Sequence, residues 1–189
     1  MKNTLLALIT TLVTGAALAA QGQDFASMWE HAQKLKPARV TSSERIASAS
    51  EPGTPFLMRG TVLDTAGKPA AGVAVFAYQT DSTGLYAQPG ASDPWRLKGW
   101  AVTDAQGRFE FRTIRPAPYP NRPIPAHIHL SFATSCCGRQ SAEVMFEDDP
   151  LATPDYRRRS TDVLWGAVTK TAAGQETSYT FKLKARGDF

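Results

Sequence analysis

The chain is poor in the residues that usually build metal and disulfide frameworks: three histidines and two cysteines in 189 residues. The cysteines are neighbours, Cys136 and Cys137, so they cannot staple distant parts of the chain. In an oxidising compartment they form a vicinal disulfide, pair with another chain, or stay reduced. No further thiol is present to make a thiolate metal site with them, and a loop feature is the reading the residues favour. After the first twenty or so residues, no stretch is long and apolar enough to cross a bilayer. Strong charge is also missing. The formal net charge of +4 comes from scattered residues, and the longest basic run, Arg157-Arg158-Arg159, reads as a solvated turn. Nucleic acid is therefore not an expected partner. There is no convincing internal repeat.

What is present begins with a short basic start at Lys2 and an apolar core of Leu5, Leu6, Leu8, Ile9, Leu12 and Val13. Ala17-Leu18-Ala19 follows, with small residues at the spacing a signal peptidase needs. Thr10, Thr11, Thr14 and Gly15 interrupt the run, which argues against an uncleaved anchor helix. Residues 1–19 are expected to be a signal peptide, and the mature protein to be soluble and exported to periplasm or medium. Without Lys2 the net charge is about +3, and roughly 170 residues remain, the size of one domain with a real core.

Residues 20–55 read as an arm and linker. Met28, Trp29, Ala32 and Leu35 share one face of a helix expected over Ser27 to Lys36, and the Ser-rich stretch from Thr41 to Ser50 reads as linker or extended chain. Residues 56–189 read as strands. Phe56 to Leu63, Val73 to Gln79, Trp100 to Thr103, Arg108 to Thr113, His127 to Phe132, Ala142 to Phe146, Asp162 to Val168 and Ser178 to Leu183 are divided by Gly, Pro and Asp turns. Phe109 and Phe111 alternate with charged residues, as a half-buried strand requires. The expected class is mainly β, an antiparallel β-sandwich with a short N-terminal helical arm. Prolines 116, 118, 120, 123 and 125 keep the segment before His127 out of any central ladder and make it a rigid loop beside the sandwich.

Two of the three histidines form His127-Ile128-His129. Residues two apart on a strand face the same way, so both imidazoles can reach one metal ion. The pair alone is equally compatible with two unrelated polar residues. No histidine follows His129, so cupin-type or copper–zinc superoxide dismutase-type sites are short of ligands. Further ligands must come from Tyr, Asp, Glu or Cys. Tyrosinate, with an unperturbed pKa of about 10, calls for a strongly acidic, hard cation such as ferric iron. Tyr86 and Tyr119 sit in loops that feed this strand, although each alone is equally a packing aromatic.

Nine segments in order resemble the intradiol ring-cleavage dioxygenases, and most of all the core of the protocatechuate 3,4-dioxygenase group. They are Gly60 to Asp64, Gly67 to Pro69, Val73 to Val75, Tyr78 to Tyr86, Thr103 to Gly107, Phe109 to Pro116, Pro118 to Pro120, Pro125 to His129 and Phe146 to Pro150. The resemblance implies a ferric centre, Fe(III), with two tyrosinates, two histidines and a hydroxide. Carried over by position, Tyr86 is the permanent tyrosinate, and Tyr119 the labile one that leaves the metal as a proton acceptor. His127 and His129 complete the protein ligands. The implied reaction is cleavage of a catechol-type substrate by dioxygen to a cis,cis-muconate.

The chain departs from that pattern at named positions. Where well-known members carry an arginine three residues before the first histidine, this chain has Ile124, with Arg122 two residues earlier as a possible substitute. Glu143 stands where the family often has a glutamine near the ring, and it disfavours carboxylated substrates if it lines the pocket. The long helical dimerisation region of the catechol 1,2-dioxygenases is missing, though a homo-oligomer is compatible with the sequence. The competing reading is an exported transthyretin-like binding or structural sandwich, suggested by Gly60 to Gln79. A copper or zinc site built on the histidine pair is a third.

Overall fold

The computed structural model describes residues 25–160 and 163–185. The expected signal peptide, 1–19, lies outside the described residues.

Among the described residues, ten strands form two five-stranded sheets. The first is built from β1 (Ser43–Arg45), β2 (Pro55–Leu63), β5 (Arg108–Ile114), β9 (Thr169–Thr171) and β10 (Gly174–Lys182), in the order β1-β5-β2-β10-β9. The second is built from β3 (Ala74–Gln79), β4 (Leu97–Val102), β6 (His127–Thr134), β7 (Gly138–Phe146) and β8 (Val163–Gly166), in the order β4-β3-β6-β7-β8. This is the expected mainly β sandwich. Its ladders are mostly antiparallel, but β1–β5, β2–β10 and β7–β8 pair in parallel.

Period-two alternation makes the first sheet one-sided. In β2, Phe56, Met58 and Val62 point inward, and in β5 Phe109 and Phe111 do so while Arg108 and Arg112 face out. Tyr179 and Phe181 of β10 join them. The second sheet supplies Val75, Ala77, Ile128, Leu130, Phe132, Val144 and Phe146 to the same core. At the end of the sandwich nearest the long loops, fully buried Gln79 links the sheets. Its Nε2 donates to the Ile114 carbonyl at 2.9 Å, and its Oε1 accepts from Thr113 Oγ1 at 3.0 Å.

The central strands of the second sheet are buried on both faces, which a simple half-exposed sandwich does not predict. The cover is α1 (Phe25–Lys34), whose Ala32, Met28 and Trp29 pack on an outer aromatic layer of Phe76, Tyr78 and Trp95. Leu35, expected on the same face, is exposed just beyond the helix. The Ser-rich segment carries β1, which forms one edge of the first sheet beside β5. A short helix, α2 (Pro154–Arg159), is capped by Thr153, and Arg157 to Arg159 form its last turn. The basic run expected to be a turn is thus helical, because Thr153 and Pro154 begin a helix in front of it. Cys136 and Cys137 are bonded to each other in the β6–β7 turn. Among the described residues, no helix is long and apolar enough to cross a membrane.

Candidate metal centre

β6 places His127 and His129 on the outer face of the second sheet, with Ile128 between them turned into the core. Two loops cross above this face. One follows β3 and carries Tyr86; the other follows β5 and carries Tyr119.

The first loop is organised by Asp81. Its Oδ1 accepts from the Thr83 amide at 2.8 Å, the Thr83 hydroxyl at 2.6 Å and the Leu85 amide at 3.2 Å. Arg96 donates to Asp81 Oδ2 at 3.2 Å and grips Glu51 with two bonds of 2.8 Å. Burial pushes the Asp81 carboxyl up, but these donors outweigh it and hold the group below its ordinary value. The Arg96 amide donates to the Tyr86 carbonyl at 2.9 Å, fixing the far end of the turn.

The second loop is held to the first. Thr80 Oγ1 donates to the Ala117 carbonyl at 2.7 Å, and the Ala117 amide donates to the Asp81 carbonyl at 3.1 Å. Gly84 has φ +84°, and a Cβ there would stand 2.2 Å from the Pro118 carbonyl oxygen. Only glycine permits both the backbone conformation and the approach. At the end of the second loop, Asp149 accepts from the Ala126 amide at 2.9 Å, which sets the entry to β6.

The result is a ring of four atoms. Tyr86 Oη lies 2.5 Å from Tyr119 Oη and 2.8 Å from His129 Nε2. His127 Nε2 is 3.1 Å from Tyr119 Oη and 3.1 Å from His129 Nε2. The four residues singled out in the sequence therefore converge.

The tautomers follow from the partners of the other nitrogens. His127 Nδ1 is 2.8 Å from the Pro125 carbonyl, which can only accept, so the proton sits on Nδ1. His129 Nδ1 is 3.3 Å from Glu143 Oε1. With both Nδ1 atoms committed to acceptors, both Nε2 atoms present lone pairs to the same point. Lone pairs facing each other at that distance repel, and a shared cation removes the conflict. Burial, the main cause, holds the His127 imidazole below its ordinary pKa and so favours the neutral, ligating form. Burial also pushes the Tyr86 and Tyr119 phenols above theirs. Two such oxygens become anionic together only beside a hard, strongly acidic ion, and the set fits ferric iron. His127, His129 and Glu143 also offer ligand atoms within 4.8 Å of one another. Glu143, however, meets the nitrogen of His129 that faces away from the tyrosines, so it stands outside the four-donor set.

The family model described as Dioxygenase matches residues 30–187. The chain belongs to the intradiol ring-cleavage dioxygenases. It is 31% identical over 177 residues to the protocatechuate 3,4-dioxygenase beta chain of Burkholderia cepacia, covering 82% of this chain and 75% of that one. It is 29% identical over 143 residues to catechol 1,2-dioxygenase 1 of Acinetobacter lwoffii, covering 66% of this chain and 46% of that one. The chain thus spans about half the length of the catechol and chlorocatechol enzymes it matches. A solved dioxygenase domain, from a dioxygenase carbohydrate-binding protein fusion of Streptomyces sp. SirexAA-E, superposes with a TM-score of 0.61 at 27% identity. That match covers 79% of this chain and 92% of that one. Catechol 1,2-dioxygenase from Pseudomonas arvilla C-1 shares the fold, with a TM-score of 0.65 at 23% identity over 80% of this chain and 60% of that one.

In this intradiol dioxygenase the surroundings of the ring of donors include Tyr78 and Trp95, which sequence reasoning missed as site residues. Tyr78 lies parallel to His129, with ring centroids 4.5 Å apart and planes 11° apart, and stacks its other face on Trp95 at 4.1 Å. Tyr78 and His129 are cross-strand partners, a relation visible only once the β3–β6 register is known. Arg122 lines a recess with Tyr86 and Tyr119, and its charge works to lower the Tyr119 pKa against the effect of burial. Ile124 donates its amide to the Arg122 carbonyl at 2.8 Å, so the two residues share one tight bend.

Proposed function

We propose that this dioxygenase cleaves catechol-type rings between the two hydroxylated carbons, using dioxygen at a ferric ion held by Tyr86, Tyr119, His127 and His129, with cis,cis-muconate-type products. The observation that carries this reading is the ring of two phenol oxygens and two imidazole nitrogens, with both histidine Nδ1 atoms already committed elsewhere. Ferric iron held there by Tyr86, Tyr119, His127 and His129 would supply the Lewis acidity that prepares a catechol for attack by dioxygen.

The protein's own residues do the rest. Tyr119 sits on the proline-rich loop and its oxygen is placed to accept a proton from an incoming catechol hydroxyl. Arg122, beside it, favours the anionic state of that phenol before the proton arrives and takes the part of the cation missing at Ile124. Tyr86 is held by the Asp81 turn and stays fixed. Tyr78 and Trp95 close one flank of His129 against water. The reading extends to export of the protein, directed by residues 1–19.

The test is spectroscopic. Ferric-loaded protein is expected to be red-brown from tyrosinate charge transfer. Anaerobic catechol should shift that band, and admitting oxygen should bleach the complex as a ring-opened diacid appears. A colourless protein with a full complement of iron would sink the reading.

A further inference from the structure

His127 and His129 both turn Nε2 to the donor cluster, but their other ring nitrogens meet different chemistry. His127 Nδ1 faces a neutral acceptor, the Pro125 carbonyl, at 2.8 Å. His129 Nδ1 faces a carboxylate, Glu143 Oε1, at 3.3 Å. The register makes this arrangement. Tyr78, His129 and Glu143 are successive cross-strand partners on β3, β6 and β7, so the imidazole stands in one row between a phenol ring and a carboxylate. Tyr78 stacks on it with the ring planes 11° apart. Such a stack fixes the plane of an imidazole but not its sense. A half-turn about Cβ–Cγ keeps the plane while exchanging Nδ1 with Cδ2 and Nε2 with Cε1. In the flipped sense His129 would present a carbon to Tyr86 and another carbon to Glu143. The carboxylate, an acceptor, selects the sense in which Nδ1–H faces it and Nε2 lies 2.8 Å from Tyr86 Oη. Among the described residues, the one ion-pair partner of Glu143 is His129, so no lysine or arginine competes for it.

We propose that Glu143 is a positioning residue for the metal: its carboxylate fixes the sense and tautomer of His129 and makes it the stronger imidazole donor of the two. This inference rests on the reading of the four donors as iron ligands. A carboxylate that holds the far N–H of a ligating imidazole pushes electron density toward the nitrogen facing the metal. An uncharged carbonyl, such as the one behind His127, does so less. The two histidines are therefore unequal, and His129 contributes more to favouring the ferric over the ferrous state. A glutamine at this position offers the same kind of acceptor without the charge, which separates orientation from donor strength. With 42% of its side chain exposed, Glu143 is not held in the core, and replacing it acts on the centre rather than on folding.

The test has two arms on the full chain. Nitrogen NMR of the iron-free protein at about pH 8, where an imidazole is neutral, reads the His129 tautomer directly. The wild type and Glu143→Gln should show Nδ1–H, and Glu143→Ala should move toward Nε2–H. Ferric loading, followed through the charge-transfer band and by competition with a chelator, reads the donor. Glu143→Gln should move the tyrosinate band to longer wavelength, because a weaker imidazole donor leaves the iron more electron-poor and lowers the energy of charge transfer to it. Glu143→Ala should bind ferric iron about 10–100-fold more weakly, the range for a lost partner of a ligating histidine. An unchanged His129 tautomer in Glu143→Ala, or a band unmoved by Glu143→Gln, overturns this inference while leaving the four iron ligands standing. A wild type that takes up ferric iron without tyrosinate colour overturns the reading beneath it, whatever the tautomer shows.

Discussion

Tyr86 and Tyr119 bring their phenol oxygens to 2.5 Å although 33 residues separate them in the chain. Neither residue belongs to a strand. Their approach is imposed by two loops pressed together where Gly84 meets Pro118. Without a cation one phenol has to donate to the other, since burial raises both and neither ionises readily.

Ferric binding should therefore release phenolic protons as the charge-transfer colour develops. Tyr86→Phe is expected to abolish most of the band and loosen the iron. Tyr119→Phe is expected to keep a weaker band and lose about 10²-fold or more in turnover, the range for a lost general base. Proton release measured in weakly buffered solution, beside the visible spectrum of each variant, checks the pair.

Gly84→Ala places a methyl group against the Pro118 carbonyl in a left-handed backbone. The strain should destabilise the fold by about 1–3 kcal/mol. Because relief comes by moving the loops apart, iron affinity should fall as well. Thermal melts with and without iron separate the effects, and an unchanged iron affinity would rule out the link between this contact and the site.

Acid should weaken the loop that holds Tyr86. The Arg96 bonds hold Glu51 below its ordinary 4.5, and Asp81, after burial is outweighed by its donors, lies below its ordinary 3.8. Folded-state values below unfolded ones mean the stabilisation is complete above those ordinary values and lost as pH falls through the depressed ones. The melting temperature should drop steeply below about pH 4.5. Asp81→Asn should lower it at neutral pH and make that drop shallower.

Gln79→Leu removes a fully buried amide that ties the two sheets beside the loops. It leaves the Ile114 carbonyl and the Thr113 hydroxyl without their partner. A cost of about 1–3 kcal/mol is expected for stranded buried groups, read from denaturant unfolding.

Much of this was legible in the sequence, for reasons that are local. Phe109 and Phe111 alternate with charge, so β5 announces its inward face. His127 and His129 are two apart on a strand, so their shared face follows from the pleat. The two tyrosines were legible only through the resemblance, because nothing local says that two loops 33 residues apart touch. β9, α2 and the parallel pairings were not legible. A three-residue edge strand carries no periodicity, and parallel partners are chosen by packing rather than by a turn between them. The stack of Tyr78 on His129 and the meeting of Glu143 with His129 depend on register, which emerges only when β3, β6 and β7 lie side by side. The cover over the second sheet hid in the same way, because the apolar helix face that bears Trp29 gives no sign of which strands it will cover until α1 folds back.

The position of β10 governs when this site can exist. It lies inside the first sheet, paired along eight positions with β2, yet it follows every other strand among the described residues. While the protein is being made, the second sheet with both histidines can emerge and pair, but the layer opposite its inner face lacks Tyr179 and Phe181 until residues 174–182 arrive. A ribosome that stalls short of that segment leaves all four donor residues already synthesised on a sandwich that cannot shut. Assembly of the four-donor cluster is therefore tied to the arrival of residues 174–182 rather than to synthesis of the donors themselves.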